Sequence, residues 1–204
     1  PGDPSSAAYP AVAGLICKNS NIKIKSVLLN PTRDGIYKCL DEMGANILYS
    51  NKKNEAGEIT YDLEVSSSVL NPIDVPANRA PSMIDDYPIL AVAASMANGT
   101  SIFRGLSELK VKESDRLSGI YNFLSKNGVD ASIEGDNLII NGSTKGPKGG
   151  SLIETNLDHR IAMSSIILGM VSDKPIKIDD TETIKTSFPN FIKLMKKLGA
   201  KLSV

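Results

Sequence analysis

One arrangement recurs three times along the chain, and such a repeat restricts the fold to stacked copies of a single supersecondary unit. Each copy begins with an apolar helix, predicted over "SSAAYPAVAGLIC", "IDDYPILAVAASMA" and "HRIAMSSIILGMV". A short strand follows each helix, in "NIKIKSV", "TSIFRGL" and "PIKIDD". In these, Ile22 with Ile24 and Ile176 with Ile178 show the alternation of a half-buried strand. A second, amphipathic helix then runs to a glycine, at Gly44, Gly128 and Gly199. The residues four, seven and eight places before each glycine are Leu40, Tyr37 and Ile36, then Leu124, Tyr121 and Ile120, then Met195, Ile192 and Phe191. That is one buried stripe at helical spacing, closed each time by glycine at the C′ position.

Beyond the glycine the first copy carries the strand pair "ANILYS" and "ITYDLEV", and the second carries "VDASIEG" and "NLIING". The third has only "AKLSV". A strand without a partner leaves an open sheet edge, so another segment of a longer polypeptide is expected to supply the pairing; a short, blunted edge strand is the simpler alternative. The expected architecture is α/β, one domain of three helix, strand, helix, strand-pair units of the βαβαββ type, spanning residues about 1–69, 79–142 and 151–204. The opening "PGDPSS" reads as a start in a loop between domains.

Lysine and arginine number 23 and so do aspartate and glutamate, which argues against a nucleic-acid or membrane-surface partner. Apolar runs such as "PILAVAASMA" are too short to span a bilayer, and no basic-then-apolar leader opens the sequence. Cys17 and Cys39 form no CxxC pair and read as reduced, structural residues in a cytosol-like compartment. One histidine and two distant cysteines make no metal-ligand set, and no cofactor is expected.

The chemistry-bearing residues lie at helix starts. "KVKESDRL", residues 110–117, falls between the second unit's first strand and its second helix. Helical spacing predicts Lys112 and Arg116 on one face, with Glu113 and Asp115 in the first turn, where the helix dipole favours carboxylates. Alone, that describes a solvated helix start. However, "RAPSMIDDYP" brings Asp85 and Asp86 to the second apolar helix, and "NLDHRIAM" brings Asp158, His159 and Arg160 to the third. If the units pack around a common axis, these starts face one way. Two arginines, a lysine and several carboxylates would then converge, a surface suited to a substrate carrying carboxylate and phosphate groups.

Six strings in order, "PGDPSSAAYP", "NPTRDGI", "RAPSMIDDYPILAVAA", "LKVKESDRL", "LDHRIAM" and "TSFPNF", resemble the C-terminal domain of the 5-enolpyruvylshikimate-3-phosphate synthases, in particular their class II form. The resemblance runs from the first residue to the last. It implies an enolpyruvyl transferase-like chain that is half of a two-domain fold, with the N-terminal domain of the same polypeptide outside this sequence. In that family two such domains close on shikimate 3-phosphate and phosphoenolpyruvate, and the enolpyruvyl group moves to the 5-hydroxyl with loss of phosphate.

Carried over position by position, the resemblance implies that Asp85 binds the shikimate ring and takes the hydroxyl proton. Glu113 would handle the proton on the enolpyruvyl methylene, with Lys112 beside both substrates. Arg116 and Arg160 would hold the phosphoenolpyruvate carboxylate, and His159 would serve as a structural or orienting residue. The chemistry needs such a set: one carboxylic group protonates the methylene carbon, another accepts the hydroxyl proton, and planar guanidinium forks fix the carboxylate. The missing domain would bring most shikimate 3-phosphate contacts, so the chain alone is expected to be inactive, and the full-length enzyme monomeric. Two positions depart from the family pattern. Glu108 stands where many members have asparagine, and Lys185 lies one place before Thr186, which aligns with a phosphate-binding lysine in some; neither is assigned a role. A sister enolpyruvyl transferase acting on a UDP sugar, and a non-catalytic repeat-built interaction module, are the alternatives.

Overall fold

The computed structural model describes residues 1–55 and 57–203. The first unit comprises α1 (Pro4–Ile16), β1 (Asn21–Leu28), α2 (Gly35–Glu42), β2 (Asn46–Glu55) and β3 (Glu58–Ser66). The second contains β4 (Asp74–Val75), α3 (Tyr87–Ser95), β5 (Gly99–Phe103), α4 (Arg116–Lys126), β6 (Asp130–Glu134) and β7 (Asn137–Gly142). The third contains β8 (Leu152–Ile153), α5 (His159–Gly169), β9 (Lys177–Ile178) and α6 (Phe191–Lys197).

The apolar helices α1, α3 and α5 form the interior and pack against one another. A helix that is apolar on every side has to be enclosed on every side. Accordingly every residue of α3 is buried, as are all of α1 except Ser6. Small side chains at Ala7, Ala8, Ala11 and Ala13 in α1, and at Ala91, Ala93 and Ala94 in α3, let these helices approach closely. Pro4 and Pro88 lie in the first turns of their helices, where proline's fixed φ is already helical and its missing N–H is not needed.

The sheets wrap this interior. β3 lies between β1 and β2, antiparallel to both. The second sheet has the order β4-β5-β7-β6, with β4 parallel to β5 and the rest antiparallel. The third is the parallel pair β8-β9. Each unit therefore has a short parallel strand ahead of its apolar helix: β4 on β5, β8 on β9, and in the first unit a single bridge from Gly2 to Val27. A helix-first reading of the sequence omits this strand because one or two residues, such as Asp74 and Val75, carry no period.

All three glycine stops are made alike. The N–H groups of Ala45, Val129 and Ala200 donate to the carbonyls of Leu40, Leu124 and Met195 at 3.0, 3.1 and 2.9 Å. Those of Gly44, Gly128 and Gly199 donate to Asp41, Ser125 and Lys196 at 2.9, 3.0 and 3.1 Å. This is the Schellman arrangement, and it requires positive φ at each glycine, which stands at +78°, +84° and +103°. Of the predicted stripe, Tyr121 and Ile192 are only half-buried at the margin of the core; the others are enclosed.

The expected strand in "AKLSV" is not formed at residues 201–203, and Val204 lies outside the described residues. The physical reason is pairing. In the second unit the strand equivalent to β9 is bonded to β7, whereas among the described residues β9 pairs with β8 alone, so no ladder reaches residues 201–203. The open side of β9 faces a groove of about 1200 Å³, lined by apolar residues that include Ile166, Ile176, Ile192, Met195 and Leu202.

At the end of β7 a Cβ on Gly142 would run into the carbonyl oxygens of Ala94 and Ala97, which are backbone atoms and cannot swing aside. Gly142→Ala should therefore cost about 3 kcal/mol or more. Gly199→Ala, where nothing lies within 4 Å, should cost only the φ term of about 1–2 kcal/mol. Urea midpoints of the two variants check the order; a cheaper Gly142→Ala would contradict this account of how β7 meets α3.

Candidate active site

The start of α4 differs from the spacing-based expectation. Asp115 is the N-cap, accepting the Ser118 N–H at 3.0 Å and its hydroxyl at 2.7 Å, so the helix begins at Arg116. A 3-10 turn over Ser107–Val111 precedes it and ends at Lys112, whose backbone is extended. Lys112 and Arg116 thus share no helical face, and Glu113 stands ahead of the helix rather than in its first turn. The gain from Asp115 satisfying a free N–H decides the boundary.

Arg116 is the largest fully buried side chain, with 0% of it exposed. Each of its three nitrogens donates to a different carboxylate. Nε reaches Asp158 Oδ2 at 2.9 Å, Nη1 reaches Asp85 Oδ1 at 2.9 Å, and Nη2 bonds Glu113 Oε2. The three acceptors differ in exposure: Asp158 is at 0%, Asp85 at 42% and Glu113 at 52%. Arg160 comes to the same place from the first turn of α5. Its Nη1 donates to the backbone carbonyl of Asp85 at 3.1 Å, and its guanidinium lies 3.8 Å from the Asp85 carboxylate and 3.7 Å from that of Asp86. Four residues singled out in the sequence, Asp85, Glu113, Arg116 and Arg160, are therefore in one cluster drawn from two units.

Lys112 is half-buried and makes no ion pair among the described residues. Glu108 is exposed on the 3-10 turn, Lys185 is paired with exposed Glu182, and the Thr186 hydroxyl donates to the Thr183 carbonyl. None of these three has a described contact with the cluster.

Two buried carboxylates behave oppositely. Burial alone would raise Asp158, but the Arg116 hydrogen bond and charge outweigh it and bring the group below the ordinary range. Asp86 is pushed up to about 6, by burial first and then by the charge of Asp85, against the pull of Ser5, Arg160 and Arg33. One of its oxygens, Oδ1, has no hydrogen-bond partner among the described residues. Burial, then the Arg160 charge, hold the His159 imidazole below its usual range, so it is neutral at pH 7. Asp158 and Asp86 were noted in the sequence only as neighbours of the candidate residues. Nothing in the sequence ties Asp158 to Arg116, 42 residues away.

An incoming carboxylate can engage Arg116 only by taking the places of Asp85 and Glu113, the exposed acceptors. That exchange would free both side chains as proton acceptor and donor beside the bound group. The apolar groove beside β9 does not reach this cluster, where charged side chains converge instead.

The raised pKa of Asp86 sets a stability slope. Because folding favours its protonated form, stability from this group is full near pH 4 and is lost as pH rises through 6. Above that, the ionised, buried carboxylate should cost about 2–3 kcal/mol. Asp86→Asn should be more stable than the parent at pH 8, with the advantage shrinking towards pH 4. Urea midpoints at the two pH values measure this, and an equal difference at both would contradict it.

The family model described as EPSP synthase (3-phosphoshikimate 1-carboxyvinyltransferase) matches residues 1–195. The chain is 52% identical over 203 residues to the 3-phosphoshikimate 1-carboxyvinyltransferase of Paramagnetospirillum magneticum, covering 100% of this chain and 46% of that protein. It is 51% identical to the enzyme of the same name from Gluconobacter oxydans, with the same coverage. Among solved structures, the EPSP synthase of Acinetobacter baumannii superposes with a TM-score of 0.94 at 36% identity, over 98% of this chain and 46% of that one. The enolpyruvyl transferase NikO of Streptomyces tendae shares the fold, with a TM-score of 0.74 at 16% identity, over 97% of this chain and 43% of that one. The chain thus spans a little under half the length of the curated relatives it matches, and it belongs to the EPSP synthase family.

Proposed function

We propose that the polypeptide carrying this chain transfers the enolpyruvyl group of phosphoenolpyruvate to the 5-hydroxyl of shikimate 3-phosphate, and that this chain supplies one half of the site. The observation that carries the reading is the convergence of Arg116 and Arg160, from different units, on Asp85. In this scheme the two guanidinium groups take the carboxylate of phosphoenolpyruvate, which orients its C2 carbon. Asp85 contacts the shikimate ring and accepts the 5-hydroxyl proton as the oxygen bonds to C2. Glu113 delivers a proton to the methylene carbon. Loss of that proton and of phosphate from the tetrahedral intermediate restores the double bond. Lys112, unpaired among the described residues, stands beside both substrates.

The rest of the site comes from an N-terminal domain of the same polypeptide. Two observations support this: the chain covers under half of its relatives, and β9 has an unpaired edge beside an apolar groove. A strand from that part of the polypeptide would pair with β9 and fill the groove. The whole enzyme works as a monomer in the cytosol, a placement supported by free Cys17 and Cys39.

Phosphate release from the two substrates tests the reading. The full-length enzyme should release it, and this chain alone should not. In the full-length enzyme Arg160→Ala should raise KM for phosphoenolpyruvate by roughly ten- to a hundredfold, the loss of a charge-assisted contact, with little effect on shikimate 3-phosphate. Asp85→Asn should leave phosphoenolpyruvate affinity nearly intact and lower kcat by about 10²- to 10⁴-fold. Equal weakening of both substrates by Arg160→Ala would remove its carboxylate role.

A further inference from the structure

We propose that Asp158 is a positioning residue for both arginines of the cluster, fixing where each presents its guanidinium to the substrate carboxylate. The proposal rests on the reading that Arg116 and Arg160 receive that carboxylate. Its physical basis is the division of labour within one side chain. Oδ2 accepts the Arg116 Nε–H at 2.9 Å and the Ser114 hydroxyl at 3.0 Å. Oδ1 accepts the backbone N–H groups of Arg160 at 2.9 Å and Ile161 at 3.4 Å, which makes Asp158 the N-cap of α5. One carboxylate thereby grips the guanidinium from the second unit and the backbone from which the third unit's guanidinium grows.

Exposure separates Asp158 from the other acceptors of Arg116. Asp85 and Glu113 are open to solvent, so an entering anion can replace them on Nη1 and Nη2. Asp158 is wholly enclosed and out of reach of any ligand, so the Nε contact persists through that exchange and holds the guanidinium plane. Asp158 itself never touches the substrate, which is why it positions rather than catalyses.

The approach to Asp158 is strained in a way this role explains. Asn156 and Leu157 both lie in the left-handed region, at φ +50° and +61°. Such backbone is costly for a leucine, and Leu157 is 71% exposed, so burial of its side chain does not offset the cost. The two residues turn the chain so that the Asp158 N–H meets the Thr155 carbonyl at 3.0 Å and its carboxylate faces Arg116.

Asp158→Asn in the full-length enzyme separates the two functions of the side chain, because the amide oxygen can still cap α5 while the charge facing Nε is gone. The expected result is a rise in KM for phosphoenolpyruvate of roughly ten- to a hundredfold, as for loss of a charged contact, with shikimate 3-phosphate little affected and a lowered Tm, because a buried guanidinium loses one of its charged partners. The Arg116 Nε–H resonance, assigned by its disappearance in Arg116→Lys, should move towards that of a free arginine and exchange rapidly with water. If the Asn variant does not fold, Asp158→Ser serves, since serine caps well but is too short to reach Arg116. A wild-type KM with an unshifted Nε–H would reduce Asp158 to a helix cap, and an equal rise of both KM values would make it structural only. If the wild-type enzyme releases no phosphate, the functional reading falls, while the Nε–H comparison still decides whether Asp158 holds Arg116.

Discussion

A guanidinium with none of its surface exposed has lost its hydration, and Arg116 is stable only because three carboxylates replace that water. One of the three, Asp158, is as deeply buried as Arg116 itself, so it would be an uncompensated interior charge without Arg116. The pair joins the start of α4 to the start of α5, and it can form only when the second and third units are docked. The geometry of the cluster and the packing of the domain are therefore one constraint, and the reactive groups inherit the rigidity of the core.

The repeat explains why the charges collect at one end. The three apolar helices pack together, and each has an aspartate at its N-cap: Asp3, Asp86 and Asp158. A helix N-terminus favours negative charge, and Asp3 and Asp158, both held below the ordinary carboxylate range, supply it for α1 and α5. Arg33 at the first unit contributes the matching cation, donating to Asp3 at 3.0 Å and to the Ser5 hydroxyl at 3.3 Å. What distinguishes the second and third units is that their cations, Arg116 and Arg160, meet across the boundary and share Asp85. Symmetry of fold thus carries an asymmetric site.

The third unit shows the same logic from the other side. Its helices and glycine stop repeat those of the first two, yet its sheet has two strands where the second unit has four. The interior helices are nonetheless buried, because α1, α3 and α5 cover one another without the missing hairpin. The outer face, at the groove beside β9, is left open and apolar.

Local physics in the sequence determined the repeat, the apolar helices, the glycine stops and the identity of the charged residues. Period and composition act over a few residues, and here they agree with the final packing; Gly44, Gly128 and Gly199 are positive-φ residues because a Schellman stop demands it. The two-residue strands, the cap at Asp115 that moved Lys112 off the α4 face, and the unpaired tail were decided by pairing and by single hydrogen bonds, which leave no periodic trace. The convergence of Asp85, Arg116 and Arg160 could be expected only once the helices were taken to share an axis. Enclosure of Arg116, the elevated pKa of Asp86 and the grip of Asp158 came from the tertiary structure alone, because desolvation depends on what surrounds a group in space, and those neighbours lie far along the chain, as Arg160 and the Asp85 carbonyl do at 75 residues apart.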